Sequence, residues 1–185
     1  MRPWTHLLLA LFAVSASAAD PSVASTIVPL NAEGGAHALE PASLPMADRA
    51  VLHKSERRLL LMKSGAVLRS YRVALGLMPR GTKERSGDFK TPEGVYQLTR
   101  RNPHSDYFLS IQVSYPNAED LVRAQRNRWV AGGSIMVHGM PNTPRHPPDY
   151  YVSTDWTDGC IALSNSDMVE FWLLSPDNMT IEITP

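Results

Sequence analysis

The alternation of apolar and polar side chains predicts β-strands along most of the chain. It is clearest in residues 107–115 (YFLSIQVSY), where apolar side chains recur at alternate positions. Residues 57–62 and 66–75 flank the turn signal Ser64-Gly65, and this arrangement predicts a β-hairpin. Five further runs are predicted as strands: residues 49–53, 95–99, 134–138, 161–163 and 179–184.

Two segments carry helix signals instead. Asn117 can cap the first helix, acidic residues follow it at once, and arginines come at its end, an order that suits the helix dipole. The second helix covers residues 167–174 after a cap at Ser164 or Asn165, and its apolar residues can face the core. Strands outnumber helices without a regular βαβ alternation. The predicted fold is therefore mostly β with a few helices, in the β-rich α+β class.

The beginning of the chain indicates export. A weakly basic start, an apolar run at residues 7–14 and the small residues 16–18 predict a cleavable signal peptide over residues 1–18. Residues 19–46 are rich in Ala, Ser, Pro and Gly, which predicts a flexible linker. Residues 47–185 are enough for a single domain. No later segment has the roughly 20 apolar residues of a membrane span, so we predict a periplasmic or secreted protein.

The charge distribution adds one expectation about the partner. Eighteen Lys and Arg balance eighteen Asp and Glu, which argues against a dedicated nucleic-acid binder. Residues 49–128 nevertheless hold 16 Lys/Arg against 7 Asp/Glu, whereas residues 130–185 hold one Arg against 7 Asp/Glu. A basic half facing a site can attract a carboxylate-bearing substrate. The alternative is a solvated surface whose charges are merely uneven.

The candidate chemistry converges on residues 137–160. Cys160 is the single cysteine, so in an exported protein it is a buried spectator, an intermolecular link or a reactive thiol. His138 ends a short apolar run, and the residues between it and Cys160 include four prolines. That number disfavours a helix or a central strand. A strand, a long loop, Gly-Cys and a second strand can bring an imidazole and a thiol together.

A histidine in hydrogen-bond reach can take the proton of a thiol, and the imidazolium then stabilises the thiolate. Gly159 leaves room for a substrate backbone, and the N–H groups of residues 158–160 can form an oxyanion hole. We therefore predict acyl transfer through a thioester on Cys160, with His138 as base. His146 is a rival base, but a strand end is the firmer platform. One cysteine and scattered histidines do not make a zinc site.

Several motifs in order resemble the L,D-transpeptidase catalytic domain family. Residues 138–139 (HG) after apolar residues, followed by residues 157–161 (TDGCI), resemble its apolar-His-Gly and Ser/Thr-x-Gly-Cys-apolar elements. Residues 87–94 (GDFKTPEG) resemble its Thr-Pro-x-Gly loop. Residues 109–117 (LSIQVSYPN) and 155–156 (DW) resemble an exported branch of the family. The opening hairpin matches as well, so the likeness covers nearly all of the predicted domain.

The resemblance implies a β-sandwich of the L,D-transpeptidase type, with Cys160 as nucleophile and His138 as base. It implies peptidoglycan stem peptides as substrate: attack on the carbonyl of a diamino-acid residue, release of a terminal D-amino acid and transfer of the acyl group to an amine. It implies no metal and no organic cofactor. The site support it implies comes from Gly139, Asp158 and Gly159, and from a hydroxyl on Thr157.

Three departures from the family pattern generate further expectations. Ala162 stands where many relatives place Arg or Asn, so another group is expected to fix the substrate or thiolate. The candidate substrate contacts are Arg80, Lys83, Arg85, Lys90 and Trp156, although the basic residues can instead merely solvate their loop.

The separation between His138 and Cys160 is longer than in compact members, so the Pro-rich insert between them is expected to form a lid or a substrate wall. Asp155 and Asp158 flank the cysteine, and their charge would oppose thiolate formation if they lie near the sulfur.

Three functions remain open from the sequence. The first is an exported cysteine transpeptidase, and the second is a carboxypeptidase or amidase that resolves the same thioester with water. The third is a non-catalytic cell-wall-binding module with a vestigial site. The sequence carries no signal of an oligomeric state.

Overall fold

The period-two patterns become strands in the computed structural model of the protein, which describes residues 44–185. The predicted signal peptide and nearly all of the predicted linker lie outside the described residues. The elements, in chain order, are β1 (Arg49–His53), β2 (Arg58–Lys63), β3 (Ala66–Arg72), β4 (Gly94–Ser105), β5 (Phe108–Val113), α1 (Ala118–Arg126), β6 (Met136–His138), α2 (Pro148–Ser153), β7 (Ile161–Ala162), α3 (Asn165–Leu174) and β8 (Thr180–Thr184). The prediction of a mostly β fold with a few helices is confirmed.

All eight of these strands form one hydrogen-bonded series in the order β3-β2-β1-β8-β4-β5-β6-β7. The long strand β4 joins its two halves, because its first residues pair with β8 and its later residues pair with β5. The two ends of the series also meet. Beyond β3, Ala74 bridges Ala162 of β7 through N–H···O distances of 2.9 and 2.8 Å. The sheet therefore curves back on itself around one core.

The core is filled by the inward face of the sheet and by α3. One buried cluster contains Leu52 from β1, Leu61 from β2, Ile111 from β5 and Val137 from β6. Phe171 of α3 is fully buried in the same cluster. α3 thus covers the apolar side of the curved sheet, as its pattern predicted.

Two elements differ from the sequence-based prediction. β4 continues to Ser105 instead of ending at residue 99, and it passes Pro103 where its pairing with β5 is irregular, between Asn102 and Ser105. A proline is tolerated there because an irregular position needs no ladder N–H. The prediction that the prolines exclude a helix from the insert was wrong. α2 forms with Pro148 in its first turn, where the missing N–H of proline costs nothing.

The helix caps follow the predicted chemistry. Asn117 caps α1 through a capping box: its side chain accepts from the N–H of Asp120, and the Asp120 carboxylate accepts from the N–H of Asn117, both at 3.1 Å. Ser164, and not Asn165, caps α3 by accepting from the N–H of Asp167. Among residues 44–185, no helix is long and apolar enough to cross a bilayer.

The loop of residues 76–93 is anchored to the sheet by a buried lysine. Lys54, 2% exposed at the end of β1, donates to the carbonyls of Gly81 and Thr91 at 2.7 and 2.9 Å and to the Glu93 carboxylate at 2.8 Å. Burial lowers the pKa of Lys54, and the Glu93 carboxylate opposes that shift. All three ammonium hydrogens are therefore satisfied, and Lys54 ties Gly81 to Thr91 and Glu93 at the end of the loop.

We predict that Lys54→Met lowers the free energy of unfolding by about 2–4 kcal/mol, because it leaves two carbonyls and a carboxylate without their donor. Urea denaturation followed by tryptophan fluorescence measures the change. Lys63→Met is the matched control, since Lys63 is exposed and, within residues 44–185, its ammonium donates only to the carbonyl of Met46 at 3.0 Å. This substitution should change the stability by less than about 0.5 kcal/mol. Equal effects of the two variants would contradict the anchoring role.

Candidate active site

The pairing of β6 with β7 places the histidine and the cysteine in one site. The two strands are parallel, with Val137 opposite Ile161 and His138 opposite Ala162. Cys160 immediately precedes β7 and lies two positions before Ala162. The side chains of Cys160 and Ala162 therefore point to the same face of the sheet. His138 and Cys160 line the same cavity, of about 530 Å³, which we call the Cys160 cavity.

His138 is buried and has a defined tautomer. Its Nδ1 lies 2.7 Å from the carbonyl oxygen of Gly139. Because a carbonyl can only accept, Nδ1–H donates this hydrogen bond and Nε2 remains available to accept a proton. Burial lowers the pKa of His138 to about 4, and the Gly139 carbonyl works against that shift. The imidazole is therefore neutral at neutral pH.

Aromatic rings enclose the imidazole. The Tyr107 ring centroid lies 4.7 Å from that of His138, and the Trp156 centroid lies at 5.6 Å in an edge-on arrangement. Both aromatic residues also line the Cys160 cavity. Their packing fixes the ring plane and excludes water from it, which accounts for the desolvation of His138.

Cys160 is half-buried and is held as a thiol. Its Sγ donates to the Ser134 carbonyl at 3.6 Å. Burial raises the pKa of the Cys160 thiol, and the charge of Asp158 adds to the increase; the N–H of Met136 and the charge of Lys83 oppose it. The lowered pKa of His138 and the raised pKa of Cys160 both favour an uncharged thiol and imidazole in the resting protein.

Thr157 organises the turn that presents the cysteine. Its hydroxyl donates to the Cys160 carbonyl at 2.8 Å and accepts from the N–H of Gly159 at 3.1 Å. The Gly159 N–H is thus engaged inside the turn. Within the described part of the chain, the N–H groups of Asp158 and Cys160 donate to no protein acceptor. These two are the remaining candidates from residues 158–160 for an oxyanion hole.

Gly159 is required by its surroundings. Its φ is +128°, and an added Cβ would lie 2.5 Å from the Lys90 carbonyl oxygen and 3.2 Å from a methyl carbon of Ile135. At Gly139 a Cβ would lie 2.6 Å from the Asn165 side-chain oxygen. The loop of residues 76–93 therefore packs directly against the turn that carries Cys160.

The two acidic residues near the cysteine have different environments. Asp155 accepts from the Arg57 guanidinium, with the shortest contact at 2.7 Å, and from the N–H of Leu75 at 2.9 Å. Arg57 and the N–H of Leu75 therefore balance the negative charge of Asp155. Asp158 is exposed, lines the Cys160 cavity and raises the pKa of the thiol.

None of the four basic residues predicted as substrate contacts lines the Cys160 cavity. Lys83 is buried against Asp88 at 2.7 Å, and the Arg85 guanidinium lies 5.6 Å from the ring centroid of Trp129. Arg80 lines a separate cavity, and Lys90 lies beside Gly81. Their contact with substrate stays a prediction. Trp156, predicted with them, does line the Cys160 cavity.

Several residues that line the Cys160 cavity were not predicted from the sequence. Ser110 lies opposite His138 in the register of β5 with β6 and is buried in the Cys160 cavity. The alternating pattern places Ser110 on the polar face of β5, and in the structure this residue is buried.

The rival base His146 is not among the residues that line this cavity. Within residues 44–185, no three His, Cys, Asp or Glu side chains are grouped as metal ligands.

We predict that Gly159→Ala destabilises the protein by about 3 kcal/mol, since the added methyl meets backbone atoms at a backbone conformation that alanine rarely adopts. Gly133→Ala, with no atom within 4 Å of its added Cβ, should cost less than about 0.5 kcal/mol. Thermal unfolding of both variants measures the difference. A wild-type melting curve for Gly159→Ala would show that the loop can move away from the turn.

Comparison with known proteins agrees with this architecture. A model of the L,D-transpeptidase catalytic domain family matches residues 47–183. The protein named "Putative L,D-transpeptidase YafK" of Escherichia coli strain K12 is 35% identical over 94 residues, which cover 48% of this chain and 36% of YafK. The chain thus spans about a third of the length of the curated relatives it matches.

Solved structures share the fold. The helical cell shape determining protein Pgp2 from Campylobacter jejuni matches with a TM-score of 0.55 at 27% identity, over 72% of this chain and 46% of Pgp2. An L,D-transpeptidase from Xylanimonas cellulosilytica matches with a TM-score of 0.51 at 16% identity, over 76% of this chain and 62% of that one. Since the family match extends from before β1 into β8, the chain belongs to the L,D-transpeptidase catalytic domain family.

Proposed function

We propose that the protein is an exported cysteine acyltransferase that acts on peptidoglycan stem peptides, with Cys160 as nucleophile and His138 as base. One observation carries the proposal: the single cysteine and a histidine whose Nε2 is available line the same open cavity. Membership of the family supports the substrate class. Pgp2 is described as a helical cell shape determining protein, and a role in cell wall biogenesis and cell shape forms part of the same proposal.

The first half-reaction forms a thioester. Sγ of Cys160 attacks the carbonyl carbon of the diamino-acid residue while its proton passes to Nε2 of His138. The N–H groups of Asp158 and Cys160 stabilise the oxygen anion of the tetrahedral intermediate. The C–N bond then breaks, and the terminal D-amino acid leaves with the proton that His138 returns to its nitrogen.

The second half-reaction releases the acyl group. An amine attacks the thioester carbonyl, His138 accepts the amine proton, the C–S bond breaks and the thiol is restored with that proton. Water can replace the amine, which gives a carboxypeptidase or amidase that uses the same groups. The acceptor therefore decides between transfer and hydrolysis, and the cysteine and histidine do the same work in both.

The resting site is an uncharged pair in this mechanism. Burial disfavours the imidazolium and the thiolate alike. Proton transfer then accompanies attack on the substrate instead of preceding it. His138 can act as base because its lowered pKa keeps Nε2 unprotonated well below neutral pH.

We predict that Cys160→Ala abolishes turnover and that His138→Ala lowers kcat/KM at least about 100-fold, because each removes a group that takes part in bond making or proton transfer. The protein is incubated with a stem tetrapeptide and an amine acceptor, and the products are followed by mass spectrometry.

His146→Ala tests the rival base, and it should lower kcat/KM far less than His138→Ala does. A cross-linked product indicates transfer, and a shortened peptide without it indicates hydrolysis. If wild-type protein gives neither a product nor a thioester adduct, the proposal is wrong and a cell-wall-binding module takes its place.

The pH dependence gives a second test. Because the neutral imidazole is the active base and its pKa is lowered to about 4, kcat/KM should stay high as the pH falls through the ordinary histidine range and decline only near pH 4. Circular dichroism at each pH separates this decline from unfolding. A decline centred at about pH 6.5, the pKa of an exposed histidine, would show that another group is the base.

A further inference from the structure

The insert (residues 139–159) builds a second cavity beside the first. This insert cavity has a volume of about 680 Å³ and shares Asp106, Tyr107 and Trp156 with the Cys160 cavity. Its other lining residues belong to the insert: Pro141, Asn142, Thr143, Arg145, His146, Tyr150 and Tyr151. The two cavities therefore adjoin across the Tyr107 and Trp156 rings, whose centroids lie 5.9 Å apart.

The wall of the insert cavity is held by two sets of hydrogen bonds. Asn142 donates from its side chain to the Ser105 carbonyl at 2.8 Å, and its side-chain oxygen accepts from the N–H of Phe108 at 2.9 Å. The Tyr151 hydroxyl accepts from the N–H groups of Arg145 and His146 at 2.8 and 3.2 Å. The cavity is thus preformed, and a ligand need not order the wall in order to bind.

Aromatic stacking reinforces this wall. The rings of His146 and Tyr150 stack with centroids 4.1 Å apart, and Tyr151 meets Trp156 edge-on at 5.2 Å. The Trp156 indole N–H donates to the Tyr151 carbonyl at 3.0 Å. Aromatic rings beside a few placed polar groups are typical of ligand sites. A peptide in extended conformation, at roughly 3.3 Å per residue, suits two adjoining cavities.

The charges indicate the polarity of the ligand. Arg145 is the only lysine or arginine among the described residues that line either cavity. No carboxylate within residues 44–185 forms an ion pair with it. Asp106 lies on the edge that the two cavities share, and Asp158 lies in the Cys160 cavity. An anionic group is therefore repelled from the shared edge and attracted towards Arg145.

We infer that the insert cavity binds a carboxylate-bearing part of the substrate, with Arg145 as the partner of the carboxylate. The inference rests on the proposed function for the identity of the substrate as a stem peptide. Arg80, Lys83, Arg85 and Lys90 lie outside both cavities, so Arg145 is the cation that a peptide reaching past Tyr107 from Cys160 meets. A guanidinium also matches a carboxylate through two parallel hydrogen bonds.

The test measures binding without turnover. The full chain carrying Cys160→Ala is titrated by calorimetry with a stem tetrapeptide and with versions in which each carboxylate in turn is an amide. Adding Arg145→Gln should weaken binding of the tetrapeptide roughly ten-fold, because a charge-assisted hydrogen bond is lost. The same substitution should have almost no effect on the affinity for the one amide version that lacks the recognised carboxylate. Arg145→Lys should restore part of the affinity.

Arg126→Gln on α1 is the matched control, since Arg126 lines neither cavity, and it should leave binding unchanged. In protein with an intact Cys160, Arg145→Gln should raise KM and leave kcat nearly unchanged. Equal weakening for all peptides, no weakening, or no binding of the tetrapeptide overturns the inference. Arg145-dependent binding without turnover in the intact protein overturns the proposed function and leaves the inference standing.

Discussion

The site depends on the parallel pairing of two very short strands, β6 and β7. This pairing sets an imidazole and a thiol that are far apart in sequence into one cavity. β6 has three residues and β7 has two, so the pair forms few hydrogen bonds of its own. The neighbours supply the rest: β5 pairs with β6 on one side, and the backbone of Ala74 bridges Ala162 on the other. The closure of the curved sheet is thus also what positions Cys160.

Burial then decides the electrostatics of the site. Aromatic rings surround His138, and the turn of residues 157–160 packs against the loop that Lys54 anchors. In such surroundings, ionisation of either group is unfavourable. In the proposed mechanism, the charges therefore arise only when the substrate carbonyl can receive them. The nearby acidic residue Asp155 does not disturb this balance, because Arg57 neutralises it.

The sequence was sufficient for the features that local chemistry controls. Period-two runs identified the strands, and Asn117 identified the start of α1. The His-Gly and Gly-Cys elements predicted two residues that do line one cavity. Features that depend on tertiary context did not follow from the sequence. The four prolines of the insert disfavour a helix by their number, yet α2 forms, because a proline in the first turn of a helix is harmless. The locations of Lys83 and Arg85 depend on partners, Asp88 and Trp129, that no periodicity reveals.

The attachment of the insert is separate from the lining of its cavity. Asn142 and the Tyr151 hydroxyl hold the insert to the turn after β4 and within its own loop. The side chains of Thr143 and Arg145 line the second cavity and take part in none of these hydrogen bonds. Substitution of these two side chains would leave those hydrogen bonds in place. Under the proposed binding mode, single substitutions there would change the ligand preference while Cys160 and His138 stay the same.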